Sequence, residues 1–274
     1  MNTKNTNNNQ SPTQPKLWES SGLPEQKRFK LIACEIIYRE MSLLAAQSKH
    51  LIDAEFLRKG LHDAGQETMH RTLQDAIDAV DKTQYHAILL GYGLCNNGIV
   101  GLQTQTIPLV IPRAHDCITF FFGSRDRYEK YFSQNPGTYY RTTGWTERSA
   151  GDDDSLMHQL HLDSPFDEYV AKYGRENAEY IIQSLGNWEK NYKYLAYIDM
   201  QLPIDKEYAR LAQQDAARKS LKFIHIEGSW RLLNDFVSGN WPEEDFLVVL
   251  PGQEVICENN DKIIKAVNAP EKKS

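Results

Sequence analysis

From residue 29 to residue 117 the chain repeats one unit: a short apolar run, a polar loop, and a segment with helical spacing. Runs of strand length fall at 29–34, 51–57, 87–90 and 109–111. After the first, Ile36, Ile37, Met41, Leu44 and Ala45 recur at helical spacing. After the second, Met69, Leu73, Ala76, Ile77 and Val80 mark one face of a helix over 66–80. A β-α-β-α-β order implies right-handed crossovers and a parallel sheet. The expected fold class is therefore α/β: a Rossmann-like three-layer fold with a mostly parallel sheet and an irregular or helical insertion. Such sheets bind ligands beyond the carboxyl ends of their strands.

Beyond 117 the rhythm weakens. Residues 96–102 predict one or two helical turns, 116–123 a buried apolar helix, and 125–132 a further helix. Pro136-Gly137, Gly144, Gly151 and three consecutive aspartates mark 135–154 as a long irregular loop, a candidate lid. Residues 158–163 are left open between strand and irregular chain, and 166–173 and 175–188 predict helices. Strands follow at 192–198, 221–226 and 245–250, with a helix over 205–218 capped by Asp205 and another begun at Ser229. The expected organisation is a disordered tail over 1–27, one α/β domain over 28–258 with an excursion around 135–190, and a frayed tail over 259–274.

Composition narrows the function classes. Net charge is −6, with no Lys/Arg-rich stripe, which argues against nucleic acid and anionic membrane as partners. No apolar run has the length of a membrane helix, and the first residues lack the apolar core of a secretory signal, so the expected compartment is the cytoplasm. Four cysteines in 274 residues are too few for a disulfide framework. In a reducing compartment, cysteines at strand ends read as ligands or nucleophiles.

Three of them are so placed. Cys34, Cys95 and Cys117 follow three different strands, His62 follows a fourth, and His115 precedes Cys117 by two residues. Three thiols and an imidazole on one sheet edge have the donor chemistry of a tetrahedral Zn or Fe site, with His62 or His115 as fourth ligand. No local CxxC supports this, and the plainer account is that each cysteine is a small buried hydrophobe. The loop Gly91-Tyr-Gly-Leu-Cys-Asn-Asn-Gly98 resembles two phosphate-binding patterns and completes neither. Asn96 stands where GxGxxG needs glycine, and Ile99-Val100 stands where a P-loop needs Lys-Ser or Lys-Thr, so neither NAD nor ATP is expected. Tyr92, Gly93, Asn96 and Gly98 remain candidates for approach to a substrate, against the alternative of a tight strand-to-helix turn. Arg113 is a candidate clamp for a small anionic substrate, or a structural pair with Asp116 or Glu35. His115 reads equally as ligand, general base or helix cap. Glu35, beside Cys34, reads as an acid/base group or as a first-turn carboxylate. Trp145 is a candidate for closing the site.

Taken together these stretches resemble a family. Leu31-Ile-Ala-Cys-Glu35, Gly60-Leu-His-Asp63, Ile88 to Cys95 with Gly98, Ile111-Pro-Arg-Ala-His-Asp-Cys117, Asn135-Pro-Gly-Thr-Tyr139, Gly144-Trp145, Gly228-Ser-Trp-Arg-Leu-Leu233 and Pro251-Gly252 are similar to the bacterial and archaeal family catalogued as domain of unknown function 1638. The resemblance implies no established activity. It implies genes beside corrinoid-dependent methyltransferases, hence a place in methyl transfer or one-carbon metabolism and a corrinoid protein or methyltransferase as partner. The expected function is a metal-binding enzyme acting on a small anionic substrate. The alternatives are a non-catalytic metal- or ligand-binding accessory protein and a metal-free cysteine-nucleophile enzyme.

Overall fold

The computed structural model describes residues 26–62, 64–148, 175, 192–258 and 260–270. Strand β1 (Arg28–Cys34) leads through a 3-10 turn (Glu35–Ile37) into α1 (Tyr38–Gln47). Strand β2 (Leu51–Leu57) leads through a second 3-10 turn (Lys59–His62) into α2 (Gln66–Asp78). Strands β3 (Ala87–Gly91) and β4 (Leu109–Pro112) follow. The first sheet has the order β2-β1-β3-β4-β8, where β8 is Phe246–Val249. Its first four strands are parallel and β8 runs antiparallel to β4. Every residue of β3 and β4 is buried, as expected of central parallel strands covered on both faces. The protein is thus a mixed α/β fold with a mostly parallel central sheet and helices.

The expectation of one sheet is corrected. Strands β5 (Thr138–Arg141), β6 (Tyr194–Asp199) and β7 (Lys222–Glu227) form a second, wholly parallel sheet of order β5-β6-β7. Part of the expected irregular loop is therefore regular: β5 comes from it, and so does the short helix α5 (Thr143–Arg148). The Pro136-Gly137 signal is the turn before β5, where Gly137 has φ 76°. Helices α3 (Ile118–Phe122) and α4 (Arg125–Gln134) join the two sheets in sequence. Helices α6 (Asp205–Arg218) and α7 (Arg231–Ser238) follow β6 and β7. The segment 158–163, open between strand and irregular chain, and the expected helices at 166–173 and 175–188 lie outside the described residues, apart from Arg175, which is helical. So does the tail before residue 26.

Two boundary expectations also change. The tail expected to fray beyond 259 contains β10 (Ile264–Asn268), paired antiparallel with β9 (Gln253–Cys257). Asp205 does not cap α6 as its N-cap residue; it sits inside the first turn and is 1% exposed. Its carboxylate accepts from Leu202 N at 2.8 Å, from the Tyr197 hydroxyl at 2.9 Å and from the Thr143 hydroxyl. Ser229 likewise stands one residue before the N-cap of α7, which is Trp230.

The two sheets share one apolar core, in which Ile36, Phe120, Phe122, Ala196, Ile198 and Ile226 all take part. A close backbone approach occurs at Gly144 of α5. A Cβ there would overlap the carbonyl of Ile36, so α5 can lie against the 3-10 turn before α1 only without a side chain at this position.

Candidate functional site

Cysteine side chains arrive from three adjacent strands. Cys34 is the last residue of β1, Cys95 lies four residues past β3, and Cys117 lies five past β4. The loops after β3 and β4 are zipped together by backbone: Leu94 N donates to Ala114 O at 2.7 Å and Cys95 N to His115 O at 3.0 Å. Gly93 permits this approach, because a Cβ there would lie 2.9 Å from Ala114 O and 3.0 Å from Asp116 N. The zip carries Cys95 alongside Cys117.

The loop after β3 does not form the expected right-handed turns at its start. Cys95, Asn96 and Asn97 take φ values of 41°, 58° and 63°. Three successive non-glycine residues in the left-handed region cost roughly 1–2 kcal/mol each, less for asparagine. Such strain persists only where the surroundings over-determine it, and it concentrates at functional sites. Gly98 N closes the turn on Cys95 O at 3.2 Å.

All three cysteines line one cavity of about 390 Å³. Tyr92, Gly93, Asn96, His115 and Trp145 line it too. Most of the remaining wall is apolar or aromatic: Ile36, Ile118, Phe120, Tyr139, Tyr140 and Tyr192. Asp116 and Thr138 complete its polar part. Burial pushes the Cys34 and Cys95 thiols up to about 12, and pushes Cys117 well above the usual thiol range. Neighbouring negative groups add to the shift: Glu35 at Cys34, and Asp116 with the other two cysteines at Cys117. The thiols are thus close enough to oppose one another's ionisation. Among the described residues, no group of three or more His, Cys, Asp or Glu stands ready in metal-holding geometry.

Several expected site residues are placed elsewhere. Arg113 is 4% exposed and does not line the cavity. Its guanidinium donates to Glu243 O at 2.8 Å, to Lys262 O at 2.7 Å and to Ile264 O, so it clamps the C-terminal hairpin. Neither Asp116 nor Glu35 is its partner. Gly98 packs on Met69 of α2, away from the cavity. Glu35 accepts from Lys59 N at 3.0 Å and pairs with Arg148 at 3.6 Å, which ties the start of α1 to the exit of β2 and to α5. The side chain of His62 lies outside the described residues.

Sequence reasoning missed Asp116 and the tyrosine wall. The Asp116 carboxylate accepts from Ile118 N at 3.0 Å and from the Tyr128 hydroxyl at 3.2 Å, and burial holds its pKa above the usual carboxylate range. Its place between His115 and Cys117 was the available signal. Tyr139 and Tyr140 enter because β5 is a strand, and a strand-length reading of 138–141 would have found them.

The model for proteins of unknown function DUF1638 matches residues 56–237. The chain belongs to this family. The DUF1638 match includes Cys95, His115, Asp116 and Cys117 and begins after Cys34. No curated protein and no solved structure matches the chain.

Proposed function

We propose that the cavity is a thiophilic metal site, with Cys34, Cys95 and Cys117 as the ligands for Zn or Fe and His115, which lines the same cavity, as the candidate for a fourth. One observation carries the reading: three cysteines, at or just past the ends of three adjacent strands, line one cavity. The donor chemistry fits, since thiolates with an imidazole suit either metal. A bound cation also reverses the electrostatics that keep these buried thiols protonated. That argument favours a metal over a free cysteine nucleophile, whose thiol at about 12 would be inert near neutral pH. The mostly parallel sheet with this cavity at its carboxyl edge supports the Rossmann-like, three-layer reading of the fold.

When bound, the metal would supply a Lewis acid and activated thiolates. The chain's own part is to bring Cys95 to Cys117 through the backbone zip, and to limit water with the aromatic wall around Trp145 and Tyr140. The Arg113 clamp on carbonyls removes the main support for an anionic substrate. In the one-carbon setting that the family resemblance implies, the partner would be a corrinoid protein or methyltransferase, and the protein would serve as enzyme or as metal-carrying accessory.

The test is elemental analysis of anaerobically purified, chelator-free protein beside Cys34→Ser, Cys95→Ser and Cys117→Ser. One Zn or Fe per chain in the wild type, falling at least about tenfold in each variant, is the expected result. Wild-type protein without stoichiometric metal, with its thiols open to titration on unfolding, would overturn the reading.

A further inference from the structure

We infer that Asp116 is a positioning residue of this cavity: its carboxylate fixes Cys117 at the start of α3 and is itself anchored by Tyr128 of α4. The inference rests on the reading of the cavity as a thiol-metal site, and it names a further residue on which that site depends.

Cys117 occupies the N-cap position of α3. A residue there usually closes the first helical turn with its own side chain. Among the described residues the Cys117 thiol makes no such bond. Asp116, one residue earlier, supplies it: Oδ1 accepts from Ile118 N at 3.0 Å. This Asx turn brackets Cys117, so the helix start is closed without engaging the sulfur, and Cys117 lines the cavity. Phe120 N then donates to Cys117 O at 3.1 Å, which fixes the Cys117 backbone from the other side.

The second carboxylate oxygen ties the turn to its surroundings. The Tyr128 hydroxyl donates to Asp116 Oδ2 at 3.2 Å. The Tyr128 ring is held in turn by Phe122, Tyr140 and Phe132, with centroids 5.2, 5.8 and 6.1 Å away. The two oxygens of one side chain thus join α3 to α4 in the wall of the cavity. The Asp116 backbone also lies against the loop after β3, since a Cβ on Gly93 would come within 3.0 Å of Asp116 N. One residue before it, His115 O accepts from Cys95 N. A displaced Asp116 would therefore move Cys117 relative to Cys95. Groups that orient metal ligands from behind are worth about 10–100-fold in metal affinity.

Asp116 carries charge as well as hydrogen bonds. After burial, it is among the groups that raise the Cys95 and Cys117 thiols. Placement and charge separate in two variants. Asp116→Asn keeps the Oδ1 acceptor and loses the charge, and its amide can still meet the Tyr128 hydroxyl, which accepts as well as donates. Asp116→Ala loses both.

Co(II) titration of the full-length, anaerobically purified protein reads affinity and, through the thiolate-to-Co(II) absorption band, how many sulfurs are bound. Asp116→Asn should stay within about threefold of the wild type, while Asp116→Ala should bind at least about tenfold more weakly with a diminished thiolate band. Tyr128→Phe should keep the wild-type circular dichroism and weaken Co(II) about threefold, but add no loss in the Asp116→Ala background, because it acts through Asp116. A metal-free readout accompanies these. In iodoacetamide alkylation resolved by mass spectrometry, Cys117 should react at least about fivefold faster in Asp116→Ala than in the equally uncharged Asp116→Asn, with Cys34 unchanged. Equal Cys117 alkylation in the two variants, or equal losses of Co(II) affinity in both, would overturn the inference. Wild-type protein that binds no Co(II), with Cys117 alkylation still separating the variants, defeats the metal reading alone. Co(II) bound by Asp116→Ala with wild-type affinity and band defeats this inference alone.

Discussion

Glu40 is a carboxylic acid held where its charged form is disfavoured. It lies on the first turn of α1, is 1% exposed, and among the described residues neither carboxyl oxygen has a hydrogen-bond partner. Burial, with smaller contributions from Asp205 and Glu147, raises it from an ordinary 4.5 to about 8. Arg39 next to it is engaged by Glu147 at 2.7 Å. The folded protein therefore holds this proton over a pH range in which the unfolded chain has lost it. Stability linked to Glu40 is full below about pH 4.5 and drains away as pH rises through about 8. Glu40→Gln keeps the shape and abolishes the ionisation. It should raise the melting temperature at pH 8.5 and leave it nearly unchanged at pH 5, with a difference on the order of a few kcal/mol. Parallel pH–stability curves for the variant and the wild type would show that Glu40 is not the group that titrates.

Among the elements, the C-terminal hairpin shows how far sequence patterns reach. The strand-loop-helix units up to β4 were legible because each carries one uninterrupted periodicity and a polar exit loop. The cysteine positions at strand ends followed from the same pattern, and the structure gathers those three thiols at one cavity. The second sheet was not legible as separate, since strand pairing depends on long-range partners and β5 is only four residues long. The hairpin was missed because Ile264–Asn268 is short and flanked by charge. What holds it is a side chain 150 residues away: Arg113 reaches the carbonyls of Lys262 and Ile264. Arg113 had looked like a site residue because it leaves a strand next to His115, and a strand-end position alone does not say which way a guanidinium turns. Arg113→Met should leave these carbonyls unsatisfied and destabilise the fold by about 2–4 kcal/mol. Amide exchange in β9 and β10 should accelerate first. Unchanged exchange in the hairpin, together with weakened ligand binding, would instead return Arg113 to the site.

For the molecule as a whole, the proposed metal would add a cross-link to strand exits that already pair through backbone hydrogen bonds. Its ligands leave β1, β3 and β4, so loading would tie three strand exits and their loops into one unit. The unfolded chain cannot hold the three thiols together, so binding free energy becomes folding free energy. Free Zn at about a hundred times its dissociation constant should add about 2.7 kcal/mol. In a domain of this size that is a rise of several degrees in melting temperature. The expected signature is a wild-type melting temperature that climbs with Zn and falls on chelation. In Cys34→Ser, Cys95→Ser and Cys117→Ser the dependence should be lost, whatever each change does to the metal-free baseline. Cys257 is exposed and does not line the cavity, so Cys257→Ser should respond to Zn as the wild type does. A Zn response that survives loss of any one cavity cysteine would show that this thiol is packing rather than ligand. The site would then be a two-thiol centre whose remaining donors come from the facing loops.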